Sequence, residues 1–393
     1  MATHPAATAG ACPRFDHHDP SWRGDDLYGL YAEMRERRVG WSDAHGGFWL
    51  VSRYDDVRAA LKDHGTFASG AGCFLPVTPG YRSLGLESDP PEHGQFRRLF
   101  LGLAGRAAVQ EALPRLQAMT ARVVGDFAAH GGGDAVVGIS EQLPVEGIAL
   151  MAGLSAETAM RVREMTVEMW SRHADDPGAI APLASLLLGE VDRRRDGGGT
   201  DFLSVLPEAE IDGRPITEEE IGNVLLSAVV AGHETTMNAC SNMILELARD
   251  PELQQRMRAE PDLRPRIVEE ALRHRAPVHL FFRTVTRDTT FAETPMRAGD
   301  KVALLYASAN RDAACFPDAD RFDLDRDGPG HVTFGWGIHR CVGAPLAQAE
   351  LRLLLDRLAA AGPFALDGEP EPSALEGGHH MGWHRLPIRF AAA

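Results

Sequence analysis

Phe334-Gly335-Trp336-Gly337-Ile338-His339-Arg340-Cys341-Val342-Gly343 decides how this chain is read. Three glycines in ten residues permit a backbone too tight for most side chains, and the close approach of another group. One cysteine sits near the end of the turn, and Ala344 to Ala361 then reads as an apolar helix. A lone cysteine beside a Gly-rich turn is ordinarily a buried thiol. Three glycines at fixed spacing before and after this cysteine, with companions elsewhere in the chain, set it apart from that default.

Working outward, the 393 residues are 44% apolar and 24% charged, the balance of a globular chain able to bury a large core and hold a sizeable cofactor. The net charge of −16 disfavours binding to nucleic acid or to anionic membrane. Five scattered cysteines do not make a disulfide framework and fit a reducing cytoplasm. Met1 to Pro20 has no apolar centre and is not a signal peptide. No stretch approaches the roughly 20 apolar residues of a membrane span. A cytoplasmic protein that avoids the membrane is therefore expected.

Gly40 to Ser52 reads as a hairpin around Gly46-Gly47, and Tyr54 to Lys62 as a short helix. Gly70 to Gly85 is a long Gly- and Pro-rich loop able to close over a pocket. Arg97 to Ala129 is helical in pattern, with a break expected at Pro114. Residues 155–195 read as helices separated at Asp176-Pro177-Gly178. Thr217, with Glu220 three residues later, has capping-box spacing and opens the strongest helix, which runs to about Leu247. Further helices start at Asp250-Pro251 and at Pro265, Phe281 to Tyr306 turns strand-like, and Gly382 to Phe390 reads as a final strand. The expectation is a mainly α chain with small β-sheets, a single large domain over 1–393, with a flexible segment over 1–20.

The Cys341 stretch resembles the haem-binding loop of the cytochrome P450 family, and the resemblance spans nearly the whole chain. It implies haem b with Cys341 as its axial thiolate. Backbone N–H groups around the sulfur would tune its electron donation, and Phe334, Gly335 and Gly343 would shape the loop. The haem is expected between the long central helix and the Cys loop. Glu270 and Arg273 resemble the family's Glu-x-x-Arg pair. Alone that spacing is weak, because such pairs are common on helix surfaces; Arg321 matches the third member of that structural network. Ala231-Gly232-His233-Glu234-Thr235-Thr236 resembles the oxygen-activation motif: small residues leave space, Thr235 back-bonds within the helix, and Glu234 and Thr235 deliver protons. Without that context Thr235 would be an ordinary helix residue. His93 and Arg97, four apart on one helix face, together with Arg283 and His339, match contacts to the two haem carboxylates.

By the same resemblance, Phe74, Leu75, Leu84, Val230, Ala231, Leu280, Phe281, His380 and Met381 are candidates for contact with substrate, although ordinary core would explain many of them. Phe281 and Phe282 cannot both face one pocket in a strand, and Phe281 is favoured. The implied activity is an oxygen- and electron-dependent monooxygenase acting on a small molecule or peptide, with tailoring of a secondary metabolite by C–H hydroxylation as the default. Oxidative C–C or C–O crosslinking of an aromatic product and a haem-binding sensor stay open as alternatives. Ferredoxin and a ferredoxin reductase are the implied electron donors, no fused reductase is expected, and the protein is expected to be a monomer.

Overall fold

The structure is a computed structural model describing residues 15–77, 82–172, 181–195 and 199–391. Among these the chain forms two compact units. The first draws on residues up to Val77, on Glu269–Cys341 and on Pro372–Gly382; the second takes the remainder.

A five-stranded sheet organises the first unit: β1 (Val39–Ser42), β2 (Phe48–Val51), β3 (Phe67–Ala68), β4 (Leu280–Val285) and β5 (Lys301–Leu305), in the order β1-β2-β5-β4-β3. The hairpin read from Gly40 to Ser52 is β1 and β2, paired antiparallel with Trp41 opposite Trp49. β5 runs parallel to β2 and antiparallel to β4, which places Val302 beside both Trp49 and Arg283. All four residues of β2 are buried because both faces of the sheet are covered. Phe48 and Leu50 join a core with Phe15, Leu27, Tyr31, Leu280 and Phe282. Trp49 and Val51 join another with Tyr54, Phe67, Leu304 and Phe316. The predicted helix Tyr54–Lys62 forms with those bounds.

The second unit is built on helices: α1 (Glu92–Ala104), α2 (Arg106–Ala129), α3 (Gln142–Ala152), α4 (Glu218–Arg249) and α5 (Ala344–Ala361). α2 packs on α5, and α3 on α4. A three-stranded sheet of Phe364–Leu366, Pro387–Phe390 and Gly132–Asp134 sits beside them. α4 starts with the expected capping box: the Thr217 side chain accepts from the Glu220 N–H, and the Glu220 carboxylate accepts from the Thr217 N–H. No helix among the described residues is long and apolar enough to cross a membrane.

Three expectations need correction. The helical stretch from Arg97 to Ala129 breaks at Gly105, not at Pro114. Gly105 is extended, and a β-carbon there would lie 2.4 Å from the Leu101 carbonyl oxygen. Pro114 sits inside α2, where burial of Ala112 and Leu116 on either side holds the helix continuous. The final strand divides at Leu386 into Trp383–Arg385 and Pro387–Phe390. Of the segment expected to be flexible, residues 1–14 lie outside the described residues, while Phe15 and His17 are fully buried. The separation expected at Asp176-Pro177-Gly178 also lies outside them.

Candidate active site

The Cys341 loop is a closed turn. The Cys341 N–H donates to the Phe334 carbonyl at 2.8 Å, and the Gly335 N–H to Val332 at 2.8 Å. Gly335 and Gly337 both adopt positive φ, of 67° and 69°. At Gly337 a β-carbon would lie 2.5 Å from the Leu61 carbonyl oxygen, so only glycine lets the loop meet the end of the helix Tyr54–Lys62. The Arg58 guanidinium covers the Trp336 ring at 4.2 Å from its centroid. Cys341 itself is exposed, whereas Cys73 and Cys240 are buried, and none of the three is in a disulfide.

Upstream, Asn310 grips the approach to the loop. Its amide donates to Thr333 Oγ1 and accepts from the Val332 N–H, both at 2.8 Å, and Thr333 Oγ1 donates to the Leu272 carbonyl at 2.7 Å. Leu272 lies between Glu270 and Arg273 in the helix Arg264–His274. Arg273 makes a bidentate pair with Glu270 at 2.7 and 2.8 Å and donates to the carbonyls of Asn310, Ala319 and Arg321. Its expected partner Arg321 is exposed and contributes only that carbonyl. The second guanidinium of the network belongs to Arg326, 3.4 Å from Glu270 and bonded to the carbonyls of Pro317, Asp318 and Arg321. By the family resemblance it is Arg321, in the stretch from Phe316 to Phe322, that matches the third member of the network. The chain instead bends at Asp323, whose N–H also reaches Glu270, and this brings Arg326 inward.

On α4, Thr235 Oγ1 donates to the Ala231 carbonyl at 2.8 Å, the back-bond expected there. Glu234 is buried, and burial pushes its carboxyl up to about 8. Gly232 meets α3: a β-carbon there would lie 3.2 Å from the Ile148 side chain. Its small size therefore serves helix packing, a correction to the expectation of open space at that position, while Ala231 is exposed. In the same unit His93 is buried and Arg97 half-buried on one face of α1. Leu84 is held to α4 through the Asn223 side chain at 3.0 Å, and the neighbouring Ser83 bonds Ser227 at 3.0 Å. Val230 is half-buried on the same helix.

In the first unit, Arg283 on β4 is buried, and its guanidinium donates to the Phe282 carbonyl at 2.7 Å. His339 lies in the 3-10 turn before Cys341. Phe281 shares the Arg283 face of β4 and meets the rings of Phe74 and His379 at 5.7 and 5.6 Å. Phe74 and His379 are 4.8 Å apart, with the tilted His380 ring 3.9 Å beyond His379. Burial holds His379 well below the usual imidazole range and His380 down at about 4, so both are neutral. Leu280 is on the opposite face of β4 with Phe282, and it and Met381 belong to the core around Phe15. Their assignment to substrate is corrected on that ground. Leu75 packs at the edge of the same core.

The family model described as Cytochrome P450 matches residues 187–361. The chain is 33% identical to "Cyclomarin C epoxidase CymV" of Salinispora arenicola, over 85% of this chain and 88% of that one. It is 34% identical to "Mycinamicin IV hydroxylase/epoxidase" of Micromonospora griseorubida, over 82% and 84%. This chain belongs to the cytochrome P450 family. Its fold superposes on a crystal structure of CYP108D1 from Novosphingobium aromaticivorans with a TM-score of 0.86, covering 94% of this chain and 95% of that one at 29% identity. The protein is accordingly a haem b monooxygenase that requires a redox partner and a small-molecule substrate. Its residues fit that cofactor. The soft sulfur of Cys341 is exposed at the end of its loop, and His93, Arg97, Arg283 and His339 are the donor types that carboxylates take.

Proposed function

We propose that Cys341 is the axial ligand and that this P450 inserts oxygen into a secondary metabolite. The observation that carries the proposal is the exposed thiol of a loop whose glycines at 335 and 337 hold positive φ. Bound haem supplies the one-electron and dioxygen chemistry. The chain's residues bind, orient and protonate. His93, Arg97, Arg283 and His339 hold the two carboxylates of the cofactor, while Phe334 and Gly343 bracket the sulfur. Glu234, protonated at neutral pH, keeps a proton available along α4. Thr235 Oγ1 donates its own hydrogen to the Ala231 carbonyl, which leaves its lone pairs to accept that proton and pass it on.

The ring set of Phe74, Phe281 and His379 favours a substrate with an aromatic or other broad apolar face. The names of the two relatives, an epoxidase and a hydroxylase/epoxidase, support oxygen insertion over crosslinking. Product mass separates the two: insertion gains one oxygen, and crosslinking loses two hydrogens. Electrons come from a ferredoxin and its reductase, docking beside the exposed Arg340. Steep loss of the reduction rate with salt supports that docking, and a salt-insensitive rate rejects it. The working form is a monomer in the cytoplasm, the compartment that five scattered cysteines fit.

The test is the carbon-monoxide difference spectrum of the reduced protein. A strongly red-shifted Soret band that disappears in Cys341→Ala establishes the thiolate. A haem-loaded wild type lacking that band overturns the assignment of Cys341.

A further inference from the structure

We propose that His17, His18 and His45 form a binding site for one divalent transition metal ion of the zinc class. The three side chains come from two stretches of the first unit. His17 and His18 lie on the segment that follows Phe15, and His45 lies in the turn between β1 and β2. Their ring centroids stand 4.4, 5.0 and 5.1 Å apart, and one ring nitrogen from each lies within 4.8 Å of the other two. Ligands about 2.0–2.1 Å from a tetrahedral zinc are separated by about 3.4 Å. Closing that gap takes rotation of His18 and His45, both exposed.

Three further observations favour an ion over a chance cluster. First, His17 is held in place. Its ring packs 5.5 Å from Phe48 and 5.0 Å from Phe282, and Phe15 beside it is fully buried. Second, His17 Nδ1 is buried with no hydrogen-bond partner among the described residues, a cost that a coordinated ion removes. Third, the surroundings orient the rings. Asp16 Oδ1 accepts from His45 Nε2 at 2.8 Å, the carboxylate–imidazole arrangement that steers metal-binding histidines, and from the His18 backbone N–H at 2.9 Å. His17 Nε2 and His18 Nε2 both lie on the Leu75 carbonyl, at 2.6 and 2.8 Å.

Three imidazoles leave a fourth tetrahedral position for water. Gly378, at φ 74°, lets its own turn press against the set: a β-carbon there would lie 2.5 Å from His17 Cδ2 and 2.9 Å from the His18 ring. The ion would therefore tie the segment after Phe15 to the β1–β2 turn. It would also act on Leu75, the residue next to Phe74, and so stiffen the aromatic set of Phe74, Phe281 and His379.

The haem-loaded protein, stripped with EDTA and desalted, is titrated with zinc chloride by calorimetry. Bound metal is then counted by mass spectrometry after gel filtration. One zinc per chain is expected, with affinity falling about 100-fold or more in His18→Ala and in His45→Ala, and about tenfold in Asp16→Asn. His18 and His45 are exposed, so equal melting temperatures of wild type and variants in EDTA verify their folding. His45→Cys, which restores a ligand, should recover binding. A wild type that retains no zinc overturns the proposal. So does equal binding by wild type and both alanine variants, which would place the metal elsewhere.

Discussion

Glu270 and Glu234 are buried to nearly the same degree, 7% and 8% exposed, yet their surroundings divide them. Glu270 receives two bonds from Arg273, one from the Asp323 N–H and a longer one from Arg326, so both carboxylate oxygens have donors and the group is fixed. Glu234 sits on an apolar helix where burial pushes it up to about 8. A carboxyl enclosed by guanidinium groups is scaffold. A carboxyl whose charge is penalised keeps its proton and remains able to release it. The same residue type thus serves architecture in one unit and, in the function proposed above, proton handling in the other, and the environment makes the choice.

The most severe break in this contrast is Arg273→Ala. It leaves Glu270 buried and short of its main partner, and should cost about 3–5 kcal/mol in urea unfolding, with poor haem retention. A loss under about 1 kcal/mol would refute the scaffold role. Next comes Glu234→Gln, expected to lower the fraction of electrons reaching product by about 100-fold at neutral pH. Thr235→Ala should act in the same direction, and full coupling in both variants would end the proton-delivery reading. pH sharpens this. In the unfolded chain Glu234 ionises in the ordinary carboxylate range, whereas in the folded protein it stays protonated up to about pH 8. Its contribution to stability is therefore fully present at acidic pH and is lost as pH rises through about 8, along with proton delivery. Glu234→Gln should flatten both curves, measured by unfolding and by coupling between pH 5 and pH 9. The smallest effects test the corrected network. Arg326→Ala should cost about 1.5–3 kcal/mol, and Arg321→Ala, which keeps the carbonyl, under about 0.5 kcal/mol. The reverse order would restore Arg321.

Those two arginines also show what the sequence could reveal. Local rules carried far. Thr217 and Glu220 marked the start of α4, the helix Tyr54–Lys62 appeared with its predicted bounds, and the Cys341 loop displayed its glycines in order. Such features depend on residues within a few positions of one another. What could not be read depends on long-range approach. Gly105 outcompeted Pro114 because the Leu101 carbonyl crowds any side chain there. Leu280 turned inward because β4 is covered on both faces. Asn310 carries no local signal, and its role emerges only where Val332 and Thr333 fold back on it. His45 meets His17 across 28 positions of chain, with only the His17-His18 pair to hint at it.

Gly337 has a consequence for anyone who diversifies this protein. Its φ of 69° and the Leu61 oxygen 2.5 Å from a would-be β-carbon are separate objections to the same substitution. Relieving one leaves the other standing. A randomised library spread over the loop should therefore return glycine at 337 from every functional clone, while Trp336, covered by the Arg58 guanidinium, should accept other flat side chains. The mutational map of the loop would be lopsided, with one site closed and its neighbour open, and codons spent on position 337 would be wasted.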